Sequence, residues 1–71
     1  MMYKVDLRWK YDSDKTTIGR EWCREQFGSQ KGTVWFTKDV SIWDEYSQYT
    51  YYTCFYFERE EHRNWFLMRF S

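Results

Sequence analysis

Residues 2 to 12 alternate without a break. Tyr3, Val5, Leu7, Trp9 and Tyr11 are apolar or aromatic, and Lys4, Asp6, Arg8, Lys10 and Asp12 stand between them. Side chains on a strand change face at every residue, so this pattern predicts a strand with one buried and one solvated side. Asp12-Ser13-Asp14-Lys15 reads as a turn. From about Thr17 to Phe27 the period lengthens to that of a helix. Ile18, Trp22, Cys23, Gln26 and Phe27 fill one half of the helical wheel, and Arg20, Glu21, Arg24 and Glu25 fill the other. Thr16 or Thr17 can cap its start, and Gly28 stops it. Gly19, inside the first turn, either weakens the helix or lets it approach a sheet closely.

Ser29-Gln30-Lys31-Gly32 reads as a loop, and Thr33 to Lys38 as a second strand. Val40 to Gln48 supports two readings. Ser41 followed by Asp44 can open a short helix, or the same residues can extend a hairpin from the second strand. Asp44-Glu45 and Ser47-Gln48 are poor strand residues, which leans the segment towards an irregular or helical path. Tyr49 to Glu58 and Arg63 to Phe70 then form the two arms of an expected hairpin, with Arg59 to His62 as its loop. That loop length places Glu58 opposite Arg63 and Tyr52 opposite Arg69, two favourable pairs.

The expected fold is α+β. One domain, residues 1–71, carries a four-stranded antiparallel sheet with one helix on one face, in the order β-α-β-(short helix or turn)-β-β. The expected core is Tyr3, Val5, Leu7, Trp9, Trp22, Phe55, Phe57, Phe66 and Met68.

Composition changes one part of this picture. The aliphatic supply is thin: Val5, Leu7, Ile18, Val34, Val40, Ile42 and Leu67 are all the Val, Leu and Ile, and there is no Ala. Such a count resembles that of a disordered chain. Aromatics make up 25% of the residues, however, and the net charge is zero. Each buried aromatic removes roughly 150–250 Å² from water, so a few replace many aliphatics. A folded, β-rich chain is therefore expected.

The strand from Tyr49 is bulky at odd and even positions alike, so both of its faces are sticky. In the expected register Tyr51, Phe55, Phe57, Phe66 and Met68 share the face under the helix. Tyr52, Cys54, Tyr56, Arg63, Trp65, Leu67 and Arg69 share the other. The second face combines aromatic bodies with polar rims, as binding surfaces do. Its expected partner-binding residues are Tyr52, Tyr56, Arg63, Trp65, Leu67 and Arg69, joined by Lys4 and Arg8 on the outer side of the first strand.

Catalytic constellations are poor. His62 is the one histidine and falls in the expected loop beside Glu60 and Glu61. Cys23 and Cys54 read as small core residues with reduced thiols. Asp12-Ser13-Asp14 opens like a calcium loop, but Thr17 stands in the place of its turn glycine and Cys23 in that of its terminal Glu. Neither a metal, a cofactor nor an enzymatic role is expected. No apolar run approaches the length of a membrane span and no charged-then-apolar leader is present, so a cytoplasmic chain without membrane contact is expected.

Lys31-Gly32-Thr33-Val34-Trp35-Phe36 resembles the first strand of cold-shock domains. It lacks their basic residue between Val and Trp, and their two downstream aromatic motifs are missing, so the likeness is set aside. Eleven basic and eleven acidic residues cancel, whereas a phosphate-neutralising protein is normally basic. A protein partner is therefore expected first and single-stranded nucleic acid second. A homodimer through an uncovered face or edge is a further expectation. In size and composition the chain resembles the small proteins that bacteriophages encode to inhibit host enzymes or defence systems. That resemblance implies an inhibitor or regulator acting by occupying another macromolecule's surface.

Overall fold

The computed structural model describes residues 2–29, 34–43 and 45–70. Five elements follow in order: β1 (Tyr3–Lys10), α1 (Asp14–Phe27), β2 (Trp35–Trp43), β3 (Tyr49–Phe57) and α2 (Glu60–Phe70). The three strands form one antiparallel sheet in the order β1-β3-β2. Both neighbours run antiparallel to β3, so β1 and β2 run parallel to each other with β3 inserted between them, a split βαβ arrangement.

The expected four-stranded sheet with one helix is therefore corrected to three strands and two helices. Arg63 to Phe70 is helical, and the hairpin with Tyr49 to Glu58 does not form. The physical reason lies in burial along one helical stripe together with charge at both ends of the segment. Phe66 is fully buried, while His62, Arg63, Leu67 and Phe70 are half-buried, which is the i, i+3, i+4 stripe of a helix. Glu60 and Glu61 occupy the first turn and Arg69 the last, so side-chain charge complements the helix dipole at both ends. Met68, expected in the core, points to solvent and is 78% exposed.

The other boundaries shift less. α1 begins at Asp14, three residues before Thr17, because Ser13 takes the cap: its hydroxyl accepts from the Thr16 backbone N–H at 3.3 Å. The Thr16 hydroxyl in turn donates to the Lys10 carbonyl at 2.7 Å, tying the end of β1 to the start of α1. Gly28 closes the helix with φ 89°, donating its N–H to the Arg24 carbonyl. Val40 to Trp43 belongs to β2, so of the two readings of that segment the extended hairpin is the correct one. Of the loop expected over Ser29 to Gly32 only Ser29 is described; the rest of it, Thr33 at the expected start of the second strand, and Asp44 lie outside the described residues, as does the Lys31–Thr33 part of the segment compared with cold-shock domains.

Both helices lie on one side of the sheet. The Phe66 ring of α2 sits 4.7 Å from Phe55 and 5.4 Å from Phe57. A Cβ built on Gly19 of α1 would stand 3.0 Å from Trp9 and 3.1 Å from Phe55. Gly19 is thus the point of closest approach of α1, which is the packing use of a helical glycine. Val5, Cys23, Trp35, Phe55, Phe57 and Phe66 form the buried core, with Leu7, Trp9 and Trp22 packed partly buried around it. Tyr3 is half-buried at the margin.

Cys23 is fully enclosed, and burial pushes its thiol from an ordinary 9.0 up to about 12. Between those values the folded chain holds a proton that the unfolded chain has lost. The contribution of Cys23 to stability is therefore constant below about pH 9 and falls as pH rises towards 12. A Cys23→Ala variant is expected to lose less stability than the parent across that window, measured as urea midpoints against pH.

Candidate functional site

The helices leave two aromatic surfaces uncovered. The first is the far side of the sheet. Register pairs Lys4 with Tyr56 and Tyr56 with Phe36, then Cys54 with Lys38, and Lys10 with Tyr52 and Tyr52 with Val40. Directly opposite residues point the same way, so these side chains share the face away from the helices. Phe36 and Tyr56 stack with centroids 4.7 Å apart and planes 7° from parallel. Cys54 is buried beneath this layer, and desolvation raises its thiol pKa while the nearby Lys4 charge opposes the rise.

The second surface is the distal end of the β2–β3 hairpin, on the helix side. Asp39, Ser41 and Trp43 of β2 are registered with Thr53, Tyr51 and Tyr49 of β3. They continue the face of Phe55 and Phe57, but burial stops at Thr53. Beyond it Tyr49, Tyr51 and Trp43 are each more than half exposed, as are Tyr46 in the turn and Tyr11 at the end of β1. Trp43 and Tyr49 meet edge to face at 4.8 Å. Tyr11 and Tyr51 do the same at 6.1 Å, with planes 81° apart. A backbone bond from the Tyr11 N–H to the Tyr51 carbonyl at 3.1 Å holds the two residues side by side. Together with Asp39 they line an open cavity of about 330 Å³.

The expected partner-binding set is not one surface. Tyr52, Tyr56 and Lys4 lie on the open sheet face. Arg8 sits exposed in an irregular stretch of β1, at φ 53°. Arg63, Trp65, Leu67 and Arg69 are on α2, across the sheet from Tyr52 and Tyr56, because the segment that carries them is a helix. There Arg63 lies over the Tyr3 ring at 5.4 Å and within 3.6 Å of Glu60. Trp65 stacks on Phe27 at 6.4 Å, and Arg69 lies over Phe70 at 5.1 Å. Half of Trp65 remains exposed.

The distal group of Tyr11, Trp43, Tyr46, Tyr49 and Tyr51 escaped the sequence reading, which placed Tyr51 by parity on a covered face. Parity identifies a face but not how far a helix reaches along it.

Among the described residues no three His, Cys, Asp or Glu side chains are grouped to hold a metal ion. No helix among them is long and apolar enough to cross a membrane. Compared with known proteins, the chain matches no family model, no curated protein and no solved structure.

Proposed function

We propose that this chain is a small non-catalytic domain that binds another protein through the aromatic end of its β2–β3 hairpin. One observation carries the reading: five large aromatic side chains, each more than half exposed, are gathered at one end of a 71-residue chain. Clustered apolar exposure of this kind marks contact surfaces. Tyr and Trp dominate binding hot spots because they desolvate large areas while keeping a polar handle. An inhibitor or regulator that works by occupying its partner's surface needs nothing more, and its size and composition fit that class.

Trp43→Ala and Tyr49→Ala are expected to weaken partner binding by at least about 2 kcal/mol each and to leave the fold intact, because neither side chain is buried. The immobilised parent and the double variant would be exposed to the same bacterial lysate, with the retained protein then titrated in pure form. Equal affinity for both chains would sink the reading. Retained material that nuclease treatment removes would shift the function to single-stranded nucleic acid. The Phe36–Tyr56 stack, flanked by Lys4 and Lys38, would then be the working face. A concentration-dependent dimer abolished by Trp43→Ala would make the partner a second copy.

A further inference from the structure

The distal cavity combines two kinds of group that recognise the same chemistry. Tyr11 and Tyr51 both line it, their rings set edge to face with planes 81° apart, and each residue is more than half exposed. Asp39 is the third lining residue. Its carboxylate is held in place from within the fold. The Thr53 hydroxyl donates to Oδ1 at 2.7 Å, and Arg20 Nη2 approaches the same oxygen at 3.7 Å. Both contacts fall on Oδ1, so Oδ2 takes no hydrogen bond or ion pair from the described residues.

Thr53 is itself buried at the centre of β3, which fixes the position of the carboxylate it orients. The site therefore sets two exposed aromatic rings beside a positioned anionic oxygen. Rings attract a cation through their quadrupole, and a carboxylate does so through charge-assisted hydrogen bonds.

We propose that the cavity of Tyr11, Asp39 and Tyr51 receives a cationic side chain, arginine or lysine, presented by the protein partner. This rests on the reading of the distal hairpin as a docking surface and names what the partner must bring to it. Trp43 and Tyr49 supply the apolar contact beyond the cavity, and the cavity supplies the charge selectivity. Arg20 does not occupy the site: it reaches Asp39 from α1, at a distance longer than a hydrogen bond, on the oxygen already used by Thr53. It lowers the attraction for a second cation but leaves Oδ2 and both rings in place. A neutral apolar anchor would gain from the rings but would desolvate the carboxylate without compensation, so the cavity discriminates against it.

The test uses the whole chain and two capped tripeptides, acetyl-Gly-Arg-Gly-amide and its citrulline counterpart. The two are nearly isosteric and differ by one charge. Ring-proton NMR shifts of Tyr11 and Tyr51 are followed as each peptide is added. The arginine peptide is expected to give saturable shifts at both rings and to bind about fivefold or more tightly than the citrulline peptide. Asp39→Asn keeps an oxygen for Thr53 and is expected to remove that preference. Tyr51→Leu, at an exposed position, is expected to remove binding of both peptides.

Equal affinity for the two peptides would overturn the proposal, as would shifts that never saturate or a preference that survives Asp39→Asn. The docking reading stands or falls separately, on partner retention by the Trp43→Ala and Tyr49→Ala chains. Those substitutions leave the cavity's three residues untouched.

Discussion

Replacing Phe66 by alanine is expected to cost about 3–5 kcal/mol, a large part of the stability of so small a domain. Phe66 is the one buried residue of α2 and is wholly enclosed. Its ring lies 4.7 Å from Phe55, 4.7 Å from Phe70, 5.4 Å from Phe57 and 5.7 Å from Trp9. Trp22 of α1 is 5.9 Å away, so the same ring joins both helices to the sheet. Removing it opens a cavity at the meeting point of all three, and the surrounding rings, packed edge to face as Trp9 on Phe55 and Phe70 and Trp22 on Phe70, relax into it only in part. A domain of this size has roughly 5–15 kcal/mol of stability in total. Urea unfolding followed by tryptophan fluorescence measures the loss. Met68→Ala, two residues along the same helix but solvent-facing, is the control and should stay within about 0.5 kcal/mol of the parent. Equal midpoints for the two variants would mean that α2 does not pack through Phe66.

Trp35→Ala is expected to be as damaging, again about 3–5 kcal/mol. Trp35 is the largest wholly buried side chain and opens β2 opposite Phe57. Its indole N–H donates to the Gly28 carbonyl at 2.8 Å, fastening the end of α1 to the sheet edge. Two contributions can be separated. Trp35→Phe keeps most of the apolar body and loses the hydrogen bond along with part of the volume. It should fall well short of the alanine variant, with about 1 kcal/mol of its loss due to the bond. Trp35→Phe matching Trp35→Ala would show that the ring body contributes little.

How much of this was readable from the chain depends on which residues are asked. Tyr3 to Lys10 announced β1 through strict alternation, and Gly28 announced the end of α1. The two-faced character of β3 was legible too: Thr53, Phe55 and Phe57 turn to the helices, and Tyr52 and Tyr56 turn away. α2 was not legible in the same way. Trp65-Phe66-Leu67-Met68 is a continuous apolar run, and such a run satisfies a strand and a helix equally over a short length. The discriminating signal was electrostatic, with Glu60 and Glu61 before the run and Arg69 after it. The second strand was expected to end at Lys38, yet β2 runs on through Asp39, whose carboxylate Thr53 and Arg20 meet.

The distal aromatic end was hidden for a reason of length. A nine-residue strand spans about 30 Å, whereas an eleven-residue helix spans about 16 Å and a fourteen-residue one about 21 Å. Helices of that size leave part of the longer hairpin bare, and which part cannot be read before the helices are known. Tyr11, Trp43, Tyr46, Tyr49 and Tyr51 owe their exposure to that mismatch.

The two edges of the sheet are unlike each other. β1 pairs Val5 with Phe55 and Trp9 with Thr53, so four residues of advance on one strand answer two on the other, and Arg8 takes φ 53° inside the mismatch. β2 keeps unbroken register with β3 from Trp35 to Trp43. A regular outer backbone can template another strand, and a bulged one cannot do so along its length. Growth of the sheet is therefore directional. Two copies that met edge to edge would join β2 to β2, and the resulting sheet would carry a bulged β1 at each rim. Such an assembly terminates itself: it can double, but it offers no regular edge from which a fibre could propagate.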